Sequence, residues 1–209
     1  MKIITYINLH KILVPPVVLA LMWHFKNWST EAFVYLSLHG TYSLLWLMKE
    51  ELYPDKRFQE MVPPRIGFPF IFAPLAGYYL APYFLTSRHI AEPPYVLGAA
   101  ISIYTLGIFY HYVGDAQKYY TLRLRKGLIE DGLFGRTRNP NYLGEILIYL
   151  AFAILSWHWV PFCVLAGWVF GFFVRNMLKK DQSLARHPNF REYQRRTGLL
   201  IPKLFRPRA

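Results

Sequence analysis

Six long stretches of this chain run almost without charge: residues 10–27, 31–48, 67–86, 94–113, 142–158 and 160–178. A hydrocarbon layer about 30 Å thick is crossed by ~20 apolar residues wound as a helix. A helix satisfies its own backbone groups, so it is the natural way for such runs to live in lipid. The pattern predicts an all-α, polytopic membrane bundle of about six transmembrane helices, forming one domain over residues 1–209. Pro15 and Pro16 predict either a kink in the first helix or a late start for it. The last two runs are separated only by Trp157 to Pro161, a tight hairpin with interfacial aromatics.

The chain is 54% hydrophobic yet carries a net charge of +12, a pairing that points to a membrane and not to a soluble basic protein. The basic N-terminus leads into an apolar stretch without a small-residue cleavage site, so it reads as a first helix and not as a removed signal peptide. With one cysteine, Cys163, no intramolecular disulfide forms.

The basic residues orient the bundle. Lys2 and Lys11 precede or open the first helix, and most others fall between helices two and three, between four and five, and after six. Only Lys26 and Arg88 fall on the other side. The positive-inside rule then places both termini in the cytoplasm. That bias accounts for the basic excess, and no nucleic-acid partner is expected. The partner is the bilayer itself: an inner membrane in a bacterium, the endoplasmic reticulum in a eukaryote. The basic tail after Lys179 predicts a short amphipathic helix ending at Gly198, with Phe190, Tyr193 and Phe205 reaching into headgroups.

Between the fourth and fifth helices lies GLFGRTRNPNYLGE, residues 132–145. Polar groups beside hydrocarbon are costly and usually serve a function. Glu145 lies one turn into an apolar helix, where an acid needs a partner or water. Asn139-Pro140 also has the form of ordinary helix capping. His111 and Asp115 are four residues apart on one helix face. No His, Cys, Asp and Glu grouping has metal-ligand spacing. No Gly-x-Ser-x-Gly or Gly-x-Gly-x-x-Gly motif occurs, so a nucleotide cofactor would be bound by a helical bundle and not by a Rossmann fold.

Three segments in order, GDAQKYYTLRLRKG, GLFGRTRNPNYLGEI and FREYQRRTGLLIP, resemble the C-terminal domain of the steroid 5α-reductases, over roughly residues 105–205. Isoprenylcysteine carboxyl methyltransferases and phospholipid N-methyltransferases share that architecture. The reductase resemblance implies NADPH in a pocket faced by Asp115, Asn141 and Glu145. It places Arg123 or Arg125 near the cofactor phosphates and Tyr193 in the tail. Where those reductases place a histidine, this chain reads Lys179-Lys180-Asp181-Gln182. FQEMVPP resembles the reductase segment that supplies a substrate-polarising glutamate, here Glu60, and Tyr78 or Tyr79 is the other candidate donor. The methyltransferase resemblance implies S-adenosylmethionine instead. Arg138-Asn139-Pro140-Asn141-Tyr142-Leu143-Gly144 matches its first motif, and Asp181-Gln182 supplies one carboxylate where that branch has two. Residues 1–100 are then the lipid-substrate side. The expected activity is NADPH-dependent reduction of a C=C bond in a steroid-like or other lipid. The alternatives are methyl transfer to a lipid or prenylated acceptor, and a non-catalytic lipid-binding protein on the same scaffold.

Overall fold

The computed structural model describes residues 1–203 and is helical, with no strand among those residues. Six long helices follow one another: α1 (Ile3–His24), α2 (Thr30–Leu52), α3 (Pro64–Ser87), α4 (Pro94–Leu124), α5 (Pro140–Ser156) and α6 (Trp159–Leu184). A short α7 (Phe190–Arg196) follows. Each predicted apolar run lies mainly within one of the six. Four of them, α1, α3, α4 and α6, are long and apolar enough to cross a membrane. The 23-residue α2 is less apolar because it carries Glu31, Lys49, Glu50 and Glu51, and α5 has 17 residues. No more than 28% of any of the four apolar windows is buried. Phe70, Trp23 and Phe170 are each more than 70% exposed. An apolar surface of this kind is matched to lipid and not to water.

Several helix ends differ from the sequence expectation. α1 begins at Ile3 and runs through Pro15 and Pro16, so the late start does not occur. Lys11 is thereby inside the helix and 2% exposed, not at an interfacial opening. Pro15 is accommodated opposite a glycine: a Cβ on Gly40 would lie 3.9 Å from its ring. α4 and α6 run past their apolar stretches, to Leu124 and Leu184. At 1.5 Å per residue they are about 46 Å and about 39 Å long, longer than a hydrocarbon layer. Asp115, Lys180 and Asp181, expected at the ends of the fourth and sixth helices, sit within them. Only Trp157 and His158 link α5 to α6, with Trp157 at φ +43°. Of the tail residues, Phe205, Arg206 and Arg208 lie outside the described segment.

The chain divides into two compact units. Unit 1 contains Met1–Tyr104 and Tyr149–Leu165, and unit 2 contains Thr105–Ile148 and Ala166–Ala209. In unit 1, α2 buries Ala32, Tyr35, His39, Tyr42, Trp46 and Lys49, an alternating three-and-four spacing that makes one stripe. α1 likewise buries Ile4, Ile7, Lys11, Val14, Val18 and Met22. Tyr149 and Phe152 of α5 pack with the α2 aromatics.

Candidate functional site

The polar stretch 136–145 belongs to unit 2, where the tail clasps it. Thr137 and Gly198 form a parallel bridge. The Arg138 amide donates to Gly198 O (2.9 Å), and the Gly198 amide donates to Arg136 O (3.0 Å). The Asn139 side-chain amide donates to Leu199 O (2.8 Å), and the Thr137 hydroxyl to Leu200 O (2.8 Å). A loop rich in backbone polar groups is thus closed by the tail's own carbonyls, as buried backbone requires.

Arg138 is the centre of this clasp. Its Nε donates to both carboxylate oxygens of Asp181 (3.1 and 3.0 Å), and Nη2 lies 2.9 Å from Oδ2. Nη1 donates to Thr197 O (2.9 Å) and Gln194 O (3.3 Å). Both partners are buried. A buried charge pair is tolerable only when its geometry is good and its remaining hydrogens find acceptors, and here they do. Beside it, Lys180 Nζ donates to Arg138 O (2.6 Å) and Asn139 Oδ1 (3.2 Å). Tyr193 donates from its hydroxyl to Phe134 O (3.0 Å). Burial pushes the Tyr193 phenol pKa up, so it remains a donor.

The start of α5 is pressed against α4. A Cβ on Gly107 would lie 2.8 Å from Gly144 O, one on Gly144 would collide with the His111 amide, and one on Gly114 would lie 3.2 Å from the Asn141 amide. Small residues let two helix backbones approach this closely. His111 Nδ1 lies 3.2 Å from Asn141 O. Asn141, Tyr142 and Glu145 on α5 and Asp115 on α4 are half-buried. The Tyr142 ring lies 5.0 Å from that of Phe173.

The remaining predicted residues of unit 2 are on its surface. Arg123 donates to Tyr119 Oη (3.1 Å), and Arg125 pairs with Asp131 at 2.7 Å. Gln117 anchors the loop beneath them: its amide donates to Asp131 O (3.0 Å) and its oxygen accepts from the Leu133 amide (3.1 Å).

In unit 1, Tyr78 is buried and its ring stacks on Tyr149 at 3.6 Å. The two rings help line a small cavity with Gly77, Ala81, Phe152 and Val164. Glu60 is exposed on its loop, where its carbonyl accepts from the Ile3 amide (3.0 Å).

The predicted residues therefore fall into three environments. Arg138, Asn139, Asp181 and Tyr193 are buried and bonded to the protein itself. Asp115, Asn141, Tyr142 and Glu145 are half-buried along α4 and α5, and Arg123, Arg125 and Glu60 are exposed. Sequence reasoning missed Thr137, whose hydroxyl partner, Leu200 O, is remote in sequence and carries no spacing signal.

The comparisons follow this geometry. A fission yeast protein (Schizosaccharomyces pombe), named only as uncharacterised, is 37% identical over 96 residues, covering 42% of this chain and 27% of the yeast protein. The chain thus spans about a quarter of the length of that relative. No solved structure matches. A family described as a protein of unknown function, DUF1295, matches residues 78–197, from Tyr78 to the Thr197 that receives Arg138. The chain belongs to that family, within the superfamily that joins the steroid 5α-reductases to the isoprenylcysteine methyltransferases.

Proposed function

We propose that this chain is a membrane-embedded reductase that uses NADPH, held by unit 2, to reduce a C=C bond of a lipid-like substrate such as an enone. One observation carries the choice of cofactor. The single carboxylate that a methyl donor would call on in the second motif, Asp181, has both oxygens engaged by buried Arg138. The sulfonium and ammonium groups of S-adenosylmethionine seek carboxylates or aromatic faces. The phosphates of NADPH seek guanidinium groups, and Arg123, Arg125 and Arg136 are exposed on the same unit. The donor set fits the polyanion better.

The cofactor would supply a hydride. On this reading the chain's own groups position and polarise. Arg123 and Arg125 receive phosphate oxygens. Asp115, Asn141 and Glu145 orient the cofactor through hydrogen bonds. Arg138, Asn139, Asp181 and Tyr193 are positioning residues that hold the segment bearing Asn141 and Glu145. Tyr78 donates to the substrate oxygen, stabilising the enolate as it develops. The lipid enters from the bilayer, and the excess of basic residues on one side supports cytoplasmic termini.

The test is binding to the full chain in detergent. NADPH should raise the unfolding midpoint, NADH should do so less, and Glu145→Ala should weaken the NADPH effect. Stabilisation by S-adenosylmethionine and not by NADPH would overturn the reading in favour of methyl transfer, which the Arg138–Gly144 motif favours.

A further inference from the structure

Unit 1 contains a second polar cluster, unconnected with the resemblance. Lys11 lies about 12 Å along α1 from its first residue, deep in an apolar helix. Its Nζ donates to Tyr149 Oη (3.1 Å) and sits 3.9 Å from the centre of the Tyr42 ring and 5.3 Å from that of Trp46. Ring faces stabilise a cation, most strongly where water is excluded. His39 lies within electrostatic reach of Lys11 and His10. Its ring stacks on Phe152 at 4.3 Å, and its Nδ1 lies 3.0 Å from Tyr35 Oη.

Two polar atoms here are buried without a partner in the protein: His39 Nε2 and Ser43 Oγ. His10 turns instead to its neighbours in α3, stacking on Tyr79 at 4.9 Å beside the Leu75 backbone. Ser43 is telling. Thr86, Ser102 and Ser156 satisfy their hydroxyls on a carbonyl three or four residues back, the usual arrangement within a helix. Ser43 does not, and it lies one turn from His39 on the same stripe. An unsatisfied polar group in hydrocarbon costs several kcal/mol. The cluster can present hydrogens: His39 offers Nε2–H when its Nδ1 accepts from Tyr35 Oη, Ser43 has an O–H, and Lys11 has its ammonium. The complement to a set of donors around a cation is an acceptor oxygen.

We propose that Lys11, His39 and Ser43, with Tyr149, form a binding site for the acceptor oxygen, a carbonyl or carboxylate, of an otherwise apolar ligand. The aromatic walls accept the apolar part, and the donors hold the oxygen. The site stands on unit 1 alone and does not depend on the identity of any cofactor. A structural role as interhelical glue predicts donors paired with each other; His39 Nε2 and the Ser43 hydroxyl are not.

The experiment uses the purified full chain in detergent and four probes of equal chain length: hexadecan-2-one, palmitate, hexadecylamine and hexadecane. Thermal unfolding is followed as each is titrated, without any nucleotide. Hexadecan-2-one, palmitate or both should raise the midpoint saturably, and the amine and alkane should not. The tighter of the two oxygen probes identifies a ketone or a carboxylate as the recognised group. Lys11→Met should weaken that probe at least about tenfold, and the milder Ser43→Ala about fivefold, the effect of one hydrogen bond. If Lys11→Met does not fold, Ser43→Ala decides. Equal stabilisation by all four probes, none by any, or an unchanged affinity in the folded variants would overturn the proposal. Because NADPH is absent, failure here leaves the cofactor reading intact, and failure of NADPH binding leaves this one intact.

Discussion

Both units bury charged and polar side chains, but the clasp of unit 2 and the α1–α2 cluster of unit 1 treat them differently. In unit 2, Arg138 is surrounded by a carboxylate and main-chain carbonyls, and Asn139, Thr137 and Tyr193 each find a carbonyl. In unit 1, His39 and Ser43 are as deeply buried, yet His39 Nε2 and Ser43 Oγ meet no protein partner. Cost decides what each arrangement means. A satisfied buried network specifies a structure, whereas an unsatisfied one is a liability unless something else completes it. Arg138 and Asn139, among the polar residues that first draw attention in the sequence, are thus bonded to the protein itself. The residues best placed to meet a ligand oxygen are scattered along α1, α2 and α5.

That contrast breaks most readily at Arg138. Arg138→Ala strands Asp181 in a buried site and should cost about 3–5 kcal/mol, the usual penalty for an orphaned buried charge. Denaturant unfolding in mixed micelles would register it, and a loss below about 1 kcal/mol would mean that the clasp is dispensable. Next comes Gly144→Val, which forces side-chain carbons into the His111 backbone. Overpacking typically costs about 1–3 kcal/mol, and a neutral result would show that α4 and α5 separate easily. Tyr193→Phe leaves Phe134 O without its donor and should cost about 1 kcal/mol in the same assay.

Two predictions concern unit 1. Glu92, just before α4, is buried with neither carboxylate oxygen partnered, and burial, with a smaller contribution from Glu31, raises its pKa from 4.5 to about 7. A raised carboxyl pKa means the folded state holds its proton longer than the unfolded one. This contribution to stability is therefore complete below pH 4.5 and is lost as pH rises through about 7. Glu92→Gln should flatten the fall in unfolding midpoint between pH 5 and 8, and an identical pH profile would show that Glu92 does not titrate in this window. The smallest expected effect is Ser43→Ala, whose hydroxyl has no partner to lose. Its cost in the ligand-free protein should be about zero, within ~0.5 kcal/mol. A loss of 2 kcal/mol would place Ser43 with the satisfied network and erase the contrast.

The helices were legible because apolar runs of membrane-crossing length have few alternatives. Their ends were harder to read. Lys11 looks like a boundary marker in one dimension, because a charge normally ends an apolar run. The structure buries it instead, using Tyr42, Trp46 and Tyr149, which are between 31 and 138 residues away. In the same way, Lys179 to Gln182 read as tail because they are polar, but they continue α6 and bring Asp181 to Arg138. The stretch around Arg138 was recognisable as important from its motif. Its partners, Thr197, Gly198, Leu199 and Leu200, accept from the clasp through their backbone carbonyls, and side-chain chemistry gives no hint of such roles.

The clasp also sets an order of assembly. A ribosome delivers Arg138 well before Asp181, Gln194 and Thr197, the groups that neutralise or accept from its guanidinium. Until those residues emerge, the guanidinium and backbone groups of the 136–139 segment lack the partners they have in the folded chain. Unit 2 is consequently completed late in synthesis, by the segment that follows α6. A chain stopped before residue 194 would retain the motif and Asp181 and yet lack the carbonyls of Gln194 to Leu200 that accept from it.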